Sequence, residues 1–123
     1  MSNRVRKPFG KLLREKRIER GFSLRRFAEL VGVSPTYLSQ VEQGNVDPPT
    51  ADRVKRMAEL LGENPDEWIA LAGRVPDDLP AIIQETTLVP DLLRAVQGLT
   101  VEQLRKLRAN AEEMKKQGKH KEK

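Results

Sequence analysis

The stretch from Gly32 to Pro49, "GVSPTYLSQVEQGNVDPP", holds the side chains whose types and spacing could do chemistry. They are hydroxyl and amide groups, which donate and accept hydrogen bonds and carry no charge at neutral pH. Those that can face away from a helical core are Thr36, Tyr37, Ser39, Gln40, Gln43 and Asn45. Their chemistry is the recognition of a polar surface outside the protein.

Acid–base and metal chemistry have little support elsewhere in the chain. The single histidine, His120, lies in "KKQGKHKEK", which is typical of a solvated tail, and there is no cysteine. No glycine-rich phosphate loop or nucleophile elbow is present, and the carboxylates are scattered along helical faces. The sequence therefore predicts no enzyme activity, no cofactor and no metal site.

Charge is distributed unevenly along the 123 residues. The chain has 23 basic and 18 acidic residues, and residues 1–62 hold 13 of the basic and 7 of the acidic ones. A basic half favours a polyanionic partner, although a solubilising surface would have the same composition. No apolar run reaches the roughly 18 residues of a membrane span, and no secretion signal follows the basic N-terminus. These features predict a cytoplasmic protein with no membrane contact.

The elements that must position the polar stretch all read as helices. Five are predicted in residues 9–73, and glycines end them at Gly21, Gly32, Gly44, Gly62 and Gly73. The first runs from about Phe9 to Arg20. The next three follow the N-caps Ser23, Ser34 and Thr50, and the fifth follows Asn64.

The rest of the chain divides around this domain. Residues 1–8 are predicted to be a basic arm, residues 74–117 a helical region and residues 118–123 a disordered tail. Short helices are expected near residues 81–85 and 90–97. A last helix begins at Thr100, with Gln103 completing a capping box. Its apolar stripe is formed by Leu104, Leu107, Ala111 and Met114. The stripe predicts a homodimer seam, or else a helix that folds back on its own domain.

The segments "SLRRFAELV", "GVS" and "PTYLSQVEQ" form a helix-turn-helix pattern. Together with "LLREKRIERGFSL" and "ADRVKRMAELLG", they make residues 9–72 resemble the lambda-repressor-like helix-turn-helix domain of the Xre/Cro family. The resemblance implies an all-α, five-helix domain that binds double-stranded DNA, usually as a dimer on a partly palindromic operator. The third helix, residues 35–43, would enter the major groove. The resemblance therefore implies that the protein is a transcriptional regulator, and in particular a repressor.

Base reading is predicted for four residues of this helix. Gln40 can bond an adenine edge bidentately, which is worth about 1–3 kcal/mol of discrimination. Thr36 can bond a base or offer its methyl group to thymine, and Ser39 lies beside them on the exposed face. Tyr37 can contact a thymine methyl or a phosphate, or it can pack against the second helix. The alternative for these four residues is an ordinary solvent-exposed helix face that binds no DNA.

Phosphate contacts are predicted around this helix. In the family a glutamine often begins the second helix and bonds a phosphate, but this chain has Leu24 there. Arg25 and Arg26 follow at once and could supply the contact instead, or they are ordinary surface charges. The remaining candidates are Gln43 and Asn45 at the end of the third helix, and Arg4, Arg6 and Lys7 of the arm.

Arg17 stands on the apolar face of the first helix, where a charge needs a partner. The resemblance implies that it forms a partly buried structural ion pair with Glu42.

A second function class also remains open, an antitoxin or adaptor whose C-terminal helices bind another protein. A ligand-responsive sensor is a weaker alternative, because no polar cluster in the second half marks a pocket.

Overall fold

A computed structural model describes residues 3–121, which contain eight helices and no strand. Five belong to a first compact unit, Met1–Leu79. They are α1 (Asn3–Glu19), α2 (Leu24–Val31), α3 (Pro35–Gln43), α4 (Ala51–Leu61) and α5 (Pro65–Leu71). The second unit is Pro80–Lys123, and α6 (Leu79–Ile83) begins at the boundary. The second unit holds α7 (Leu88–Ala95) and α8 (Val101–Lys121). The all-α prediction is confirmed.

The ends of the two central helices follow from their capping residues. The hydroxyls of Ser23 and Ser34 each accept a hydrogen bond of 3.1 Å from the backbone N–H three residues on. Gly32 and Gly44 end these helices in the left-handed region, at φ 85° and 76°, which costs glycine little. Thr50 precedes α4 as expected, but its side chain makes no capping bond.

Helix α1 begins earlier than the sequence predicts, at Asn3 rather than Phe9. Pro8 lies inside it, and its missing N–H forfeits one bond, to the carbonyl of Arg4. Contacts with α3 and the following loop compensate, including an ion pair from Arg6. Residues 3–8 are therefore the first turns of a helix rather than a separate arm, while residues 1 and 2 lie outside the described part.

The core of the first unit draws on all five of its helices. Phe9 of α1 meets Trp68 of α5 edge to face, with ring centroids 5.8 Å apart. The other large side chains that are fully buried are Leu13, Phe27, Leu38, Val41, Val54, Met57 and Leu61. Burying one such side chain contributes about 1.5–3 kcal/mol, so this cluster fixes where α3 lies relative to α1.

The second unit has a different character, since α6 and α7 bury no side chain. The two helices begin about two residues before the predicted positions. The capping box of α8 is confirmed: the Thr100 N–H donates to Gln103 Oε1 at 2.9 Å, and the Gln103 N–H to Thr100 Oγ1 at 3.1 Å.

Helix α8 also continues to Lys121, so the predicted tail is wrong for residues 118–121, and residues 122–123 lie outside the described part. Lysine and glutamine favour helices, and lysines near the C-terminus complement the helix dipole. Across residues 3–121, no helix is both long and apolar enough to cross a membrane.

Candidate nucleic-acid interface

Helix α3 presents two distinct faces. Leu38 and Val41 are buried in the core, which turns the intervening positions outward. Thr36 is exposed, and Ser39 and Gln40 are partly exposed. Tyr37 is also partly exposed, and its ring packs against the core. A helix with one anchored face and one polar face can be presented rigidly to a partner.

The polar side chains at the end of α3 hold each other in place. Asn45 Nδ2 donates to Gln40 Oε1 at 3.0 Å and to Gln43 Oε1 at 3.2 Å. Gln43 Nε2 in turn donates to Ser39 Oγ at 2.9 Å. The network fixes the Gln40 amide so that its Nε2 donor points away from Asn45. The sequence suggested these residues singly and did not predict their mutual bonding, which depends on the left-handed turn at Gly44.

Arg17 and Glu42 join α1 to α3 through a bidentate ion pair. Arg17 Nε donates to Glu42 Oε2 at 2.7 Å, and Nη2 donates to Oε1 at 3.0 Å. The third nitrogen, Nη1, donates to the Phe22 carbonyl at 2.9 Å, so the guanidinium also secures the turn before α2. The side chains are only 10% and 5% exposed. The pair has the geometry of a structural clamp rather than of a DNA contact.

The helices α1 and α3 also approach each other closely at two glycines. A Cβ on Gly10 would lie 2.3 Å from the Val41 carbonyl oxygen and 2.6 Å from that of Glu42. Lys7 lies directly against Gly44, where α3 ends. Only glycine permits such a crossing, and the position of α3 therefore depends on Gly10.

Two arginines from distant parts of the chain hold the loop after α3. Arg6 Nε donates to Asp47 Oδ1 at 2.8 Å, and this hydrogen bond lowers the pKa of Asp47 below its ordinary 3.8. Arg74, which follows α5, donates from Nε to the Pro49 carbonyl at 3.0 Å and from Nη2 to that of Pro48 at 2.5 Å. Sequence reasoning missed Arg74, because nothing local to it indicates the loop that it reaches.

The predicted phosphate-binding residues lie at the end of α3, in the first turns of α1 and at the start of α2. Gln43 and Asn45 lie in the network at the end of α3, while Arg4, Arg6 and Lys7 lie in the first turns of α1. Lys7 lies beside the end of α3, and Arg6 forms an ion pair with Asp47.

At the start of α2, Arg25 and Arg26 are both exposed. Arg26 Nη1 pairs with Glu29 at 2.5 Å, and Arg25 has no ion-pair partner among residues 3–121. Leu24 packs against the core with part of its surface exposed, so the first position of α2 carries no side-chain donor.

The residues predicted to dimerise belong to the second unit. Leu104 and Leu107 are 40% and 41% exposed, Met114 is 68% exposed, and Ala111 is exposed as well. Their stripe on α8 is therefore open to solvent in the single chain.

A family profile and several solved structures are similar to this chain. The Helix-turn-helix family profile matches residues 13–68. A crystal structure of the clp gene regulator ClgR from C. glutamicum is 30% identical and has a TM-score of 0.48, with 56% of this chain and 87% of that chain covered. Another ClgR structure, from Corynebacterium glutamicum, is 27% identical with a TM-score of 0.49, over 76% of this chain and 90% of that one.

A SinR protein–SinI protein complex is 22% identical, with a TM-score of 0.46 over 88% of this chain and 98% of that chain. No curated protein compared with the chain matches it.

Proposed function

Because the chain belongs to the lambda-repressor-like helix-turn-helix family of DNA-binding transcriptional regulators, we propose that it is a sequence-specific repressor. It would act as a dimer and read a partly palindromic operator with α3. The observation that carries the proposal is the outward polar face of α3, which is anchored by Leu38 and Val41 and held in place by the Arg17–Glu42 pair. A rigid polar helix of this kind suits the major groove.

Gln40 is the principal base-reading residue in this proposal. Asn45 occupies one lone pair of its Oε1, and the other remains able to accept from the amino group of an adenine while Nε2 donates to N7. Thr36 and Tyr37, nearer the N-terminus of α3, and Ser39 beside Gln40 would contact neighbouring bases or sugars. The network around Asn45 supports this role, because an oriented amide loses little entropy on binding.

The phosphate contacts would flank α3. Arg25 is exposed and engaged with no carboxylate in the described chain, so it is the strongest candidate at the start of α2. Arg26 would first have to leave Glu29. Gln43, Asn45 and the α1 residues Arg4, Arg6 and Lys7 would contact the backbone on the other side.

Dimerisation is proposed through Leu104, Leu107, Ala111 and Met114 of α8. Their exposure supports the proposal, since an apolar stripe on a capped helix gains stability when a partner covers it. Two recognition helices joined in this way would bind half-sites separated by about 34 Å, one turn of DNA. A repressor results where such an operator overlaps a promoter, and the protein would then act in the cytoplasm.

The same exposed apolar surface favours a second candidate, an antitoxin or adaptor whose C-terminal helices bind a different protein. Light scattering on the full chain separates the two. A mass twice the 14.0 kDa of the chain supports the homodimer, and replacing Leu104 and Leu107 with serine should then produce monomers. A wild-type monomer would contradict the homodimer and favour the adaptor.

Selection of bound sequences from random duplex DNA, at two salt concentrations, tests base reading. We expect a palindromic motif whose enrichment survives the higher salt. Gln40→Ala should relax the preference at one position in each half-site, whereas Arg25→Ala should weaken binding to all duplexes alike. Salt-sensitive binding with no enriched motif would contradict sequence-specific recognition.

A further inference from the structure

An open cleft of about 280 Å³ lies between α1, α2 and α3, beside the polar face of α3. The residues that line it are Arg14, Arg17, Leu24, Ser39, Glu42 and Gln43. Ser39 and Gln43 belong to the outward face proposed to meet DNA. A duplex seated on that face would therefore bring its sugar–phosphate backbone over the mouth of the cleft.

Most polar groups around the cleft already have partners within the protein. Arg17 and Glu42 neutralise each other, and Gln43 donates to Ser39. Arg14, an exposed residue one turn before Arg17 on α1, has no hydrogen-bond or ion-pair partner in residues 3–121. Its guanidinium is thus the one unneutralised charge at the cleft within the described chain, and the charge is positive.

The α2 side of the cleft contributes no polar side chain. Leu24 forms this wall, and its apolar side chain cannot donate a hydrogen bond to a phosphate oxygen. A phosphate over the cleft would therefore need a donor from another wall. Arginine suits the task, because its planar guanidinium can donate two hydrogen bonds to one phosphate.

We propose that Arg14 binds a DNA backbone phosphate at this cleft and supplies the contact that Leu24 cannot make. The inference rests on the proposed function, since it requires α3 to face a duplex. It adds a phosphate-contacting residue on α1, outside the helix-turn-helix segment itself. Arg14 would fix the register of the protein on DNA without reading sequence.

The test compares Arg14→Gln with Arg20→Gln in the full chain. Arg20 is a matched control that directly follows the same helix, because its guanidinium lies beside Gly62 at the end of α4, away from the cleft. The measured quantity is the slope of log Kd against log salt for a random-sequence 20-bp duplex. Losing one phosphate contact should reduce the slope for Arg14→Gln by about 0.9, and the slope for Arg20→Gln should not change.

Equivalently, the affinity deficit of Arg14→Gln should shrink about 3.5-fold between 50 and 200 mM salt. Methylphosphonate substitution of single phosphates, in a duplex that carries the motif enriched in the selection, adds an independent readout because that motif fixes the register of the protein. At one position the neutral group should weaken the wild type and the Arg20→Gln variant but leave Arg14→Gln unaffected.

The outcomes separate the two levels of inference. If the wild type shows no salt-dependent binding to the duplex, the DNA-binding function itself fails. If the wild type binds and Arg14→Gln keeps its full slope, only the role of Arg14 is overturned. An equal reduction for both variants would also overturn it, because the effect would then reflect general charge. Thermal melting of each variant confirms that it is folded.

Discussion

Breaking the Arg17–Glu42 pair should destabilise the protein more than any other single change to its polar contacts. Glu42→Leu would leave the buried guanidinium with one bond, to the Phe22 carbonyl, and Arg17→Met would leave the carboxylate and that carbonyl unsatisfied. Each change should cost about 3–5 kcal/mol. In a domain of this size 1 kcal/mol corresponds to roughly 4–8 °C, so the Tm should fall by at least about 12 °C.

The double variant should behave differently from the sum of the two. With both charges removed, the introduced methionine and leucine side chains would share an apolar contact, and buried pairs replaced in this way often lose little stability. Thermal melting of the four proteins therefore forms a double-mutant cycle, and a double variant that costs less than either single change corresponds to a coupling energy of at least about 3 kcal/mol. The exposed Arg26–Glu29 pair is the control, since its 2.5 Å contact at 59% and 66% exposure should couple by less than about 1 kcal/mol. Single variants that melt like the wild type, or costs that simply add, would refute the argument.

Three further changes test the packing around α3. Gly10→Ala should lower the free energy of unfolding by about 1–3 kcal/mol in differential scanning calorimetry, because its Cβ would lie 2.3 Å from a carbonyl oxygen of α3. The control is Gly118→Ala, whose Cβ would meet nothing within 4 Å, and its effect should be neutral or stabilising. Equal effects of the two changes would contradict a close crossing of α1 and α3 at Gly10. Arg74→Met should weaken DNA binding severalfold with a modest loss of Tm, since the loop after α3 loses two anchors, and unchanged affinity would count against that role. Asp47 has a pKa lowered by the hydrogen bond from Arg6, so the stability that it contributes is present above its ordinary pKa of 3.8 and is lost as the pH falls through the lowered value. The Tm deficit of Asp47→Asn should therefore be constant near about pH 6 and shrink in acid; a deficit that grows in acid would reverse the assigned sign.

Much of the first unit could be predicted because its signals are local. The serine caps, the glycine stops and the core positions of α3 each depend on residues within a few positions of one another. The partner of Arg17 required more, since Glu42 is 25 positions away and only the family resemblance indicated it.

The contacts that could not be predicted join residues far apart in the chain. Arg6 reaches Asp47 across 41 positions, and that contact accompanies the early start of α1 at Asn3. The network around Asn45 was missed for another reason, since it requires the turn at Gly44 to bring the amides together. Sequence spacing alone does not specify such geometry.

The anchoring of the loop by Arg74 has a practical consequence for dissecting the protein. The family match ends at residue 68 and the last helix of the domain at Leu71, so either point would be a natural place to truncate the chain. A fragment cut there would keep every side chain proposed to touch DNA and yet lack the guanidinium that holds the carbonyls of Pro48 and Pro49. Recombinant fragments intended to report the intrinsic affinity of the domain should therefore extend at least through Arg74.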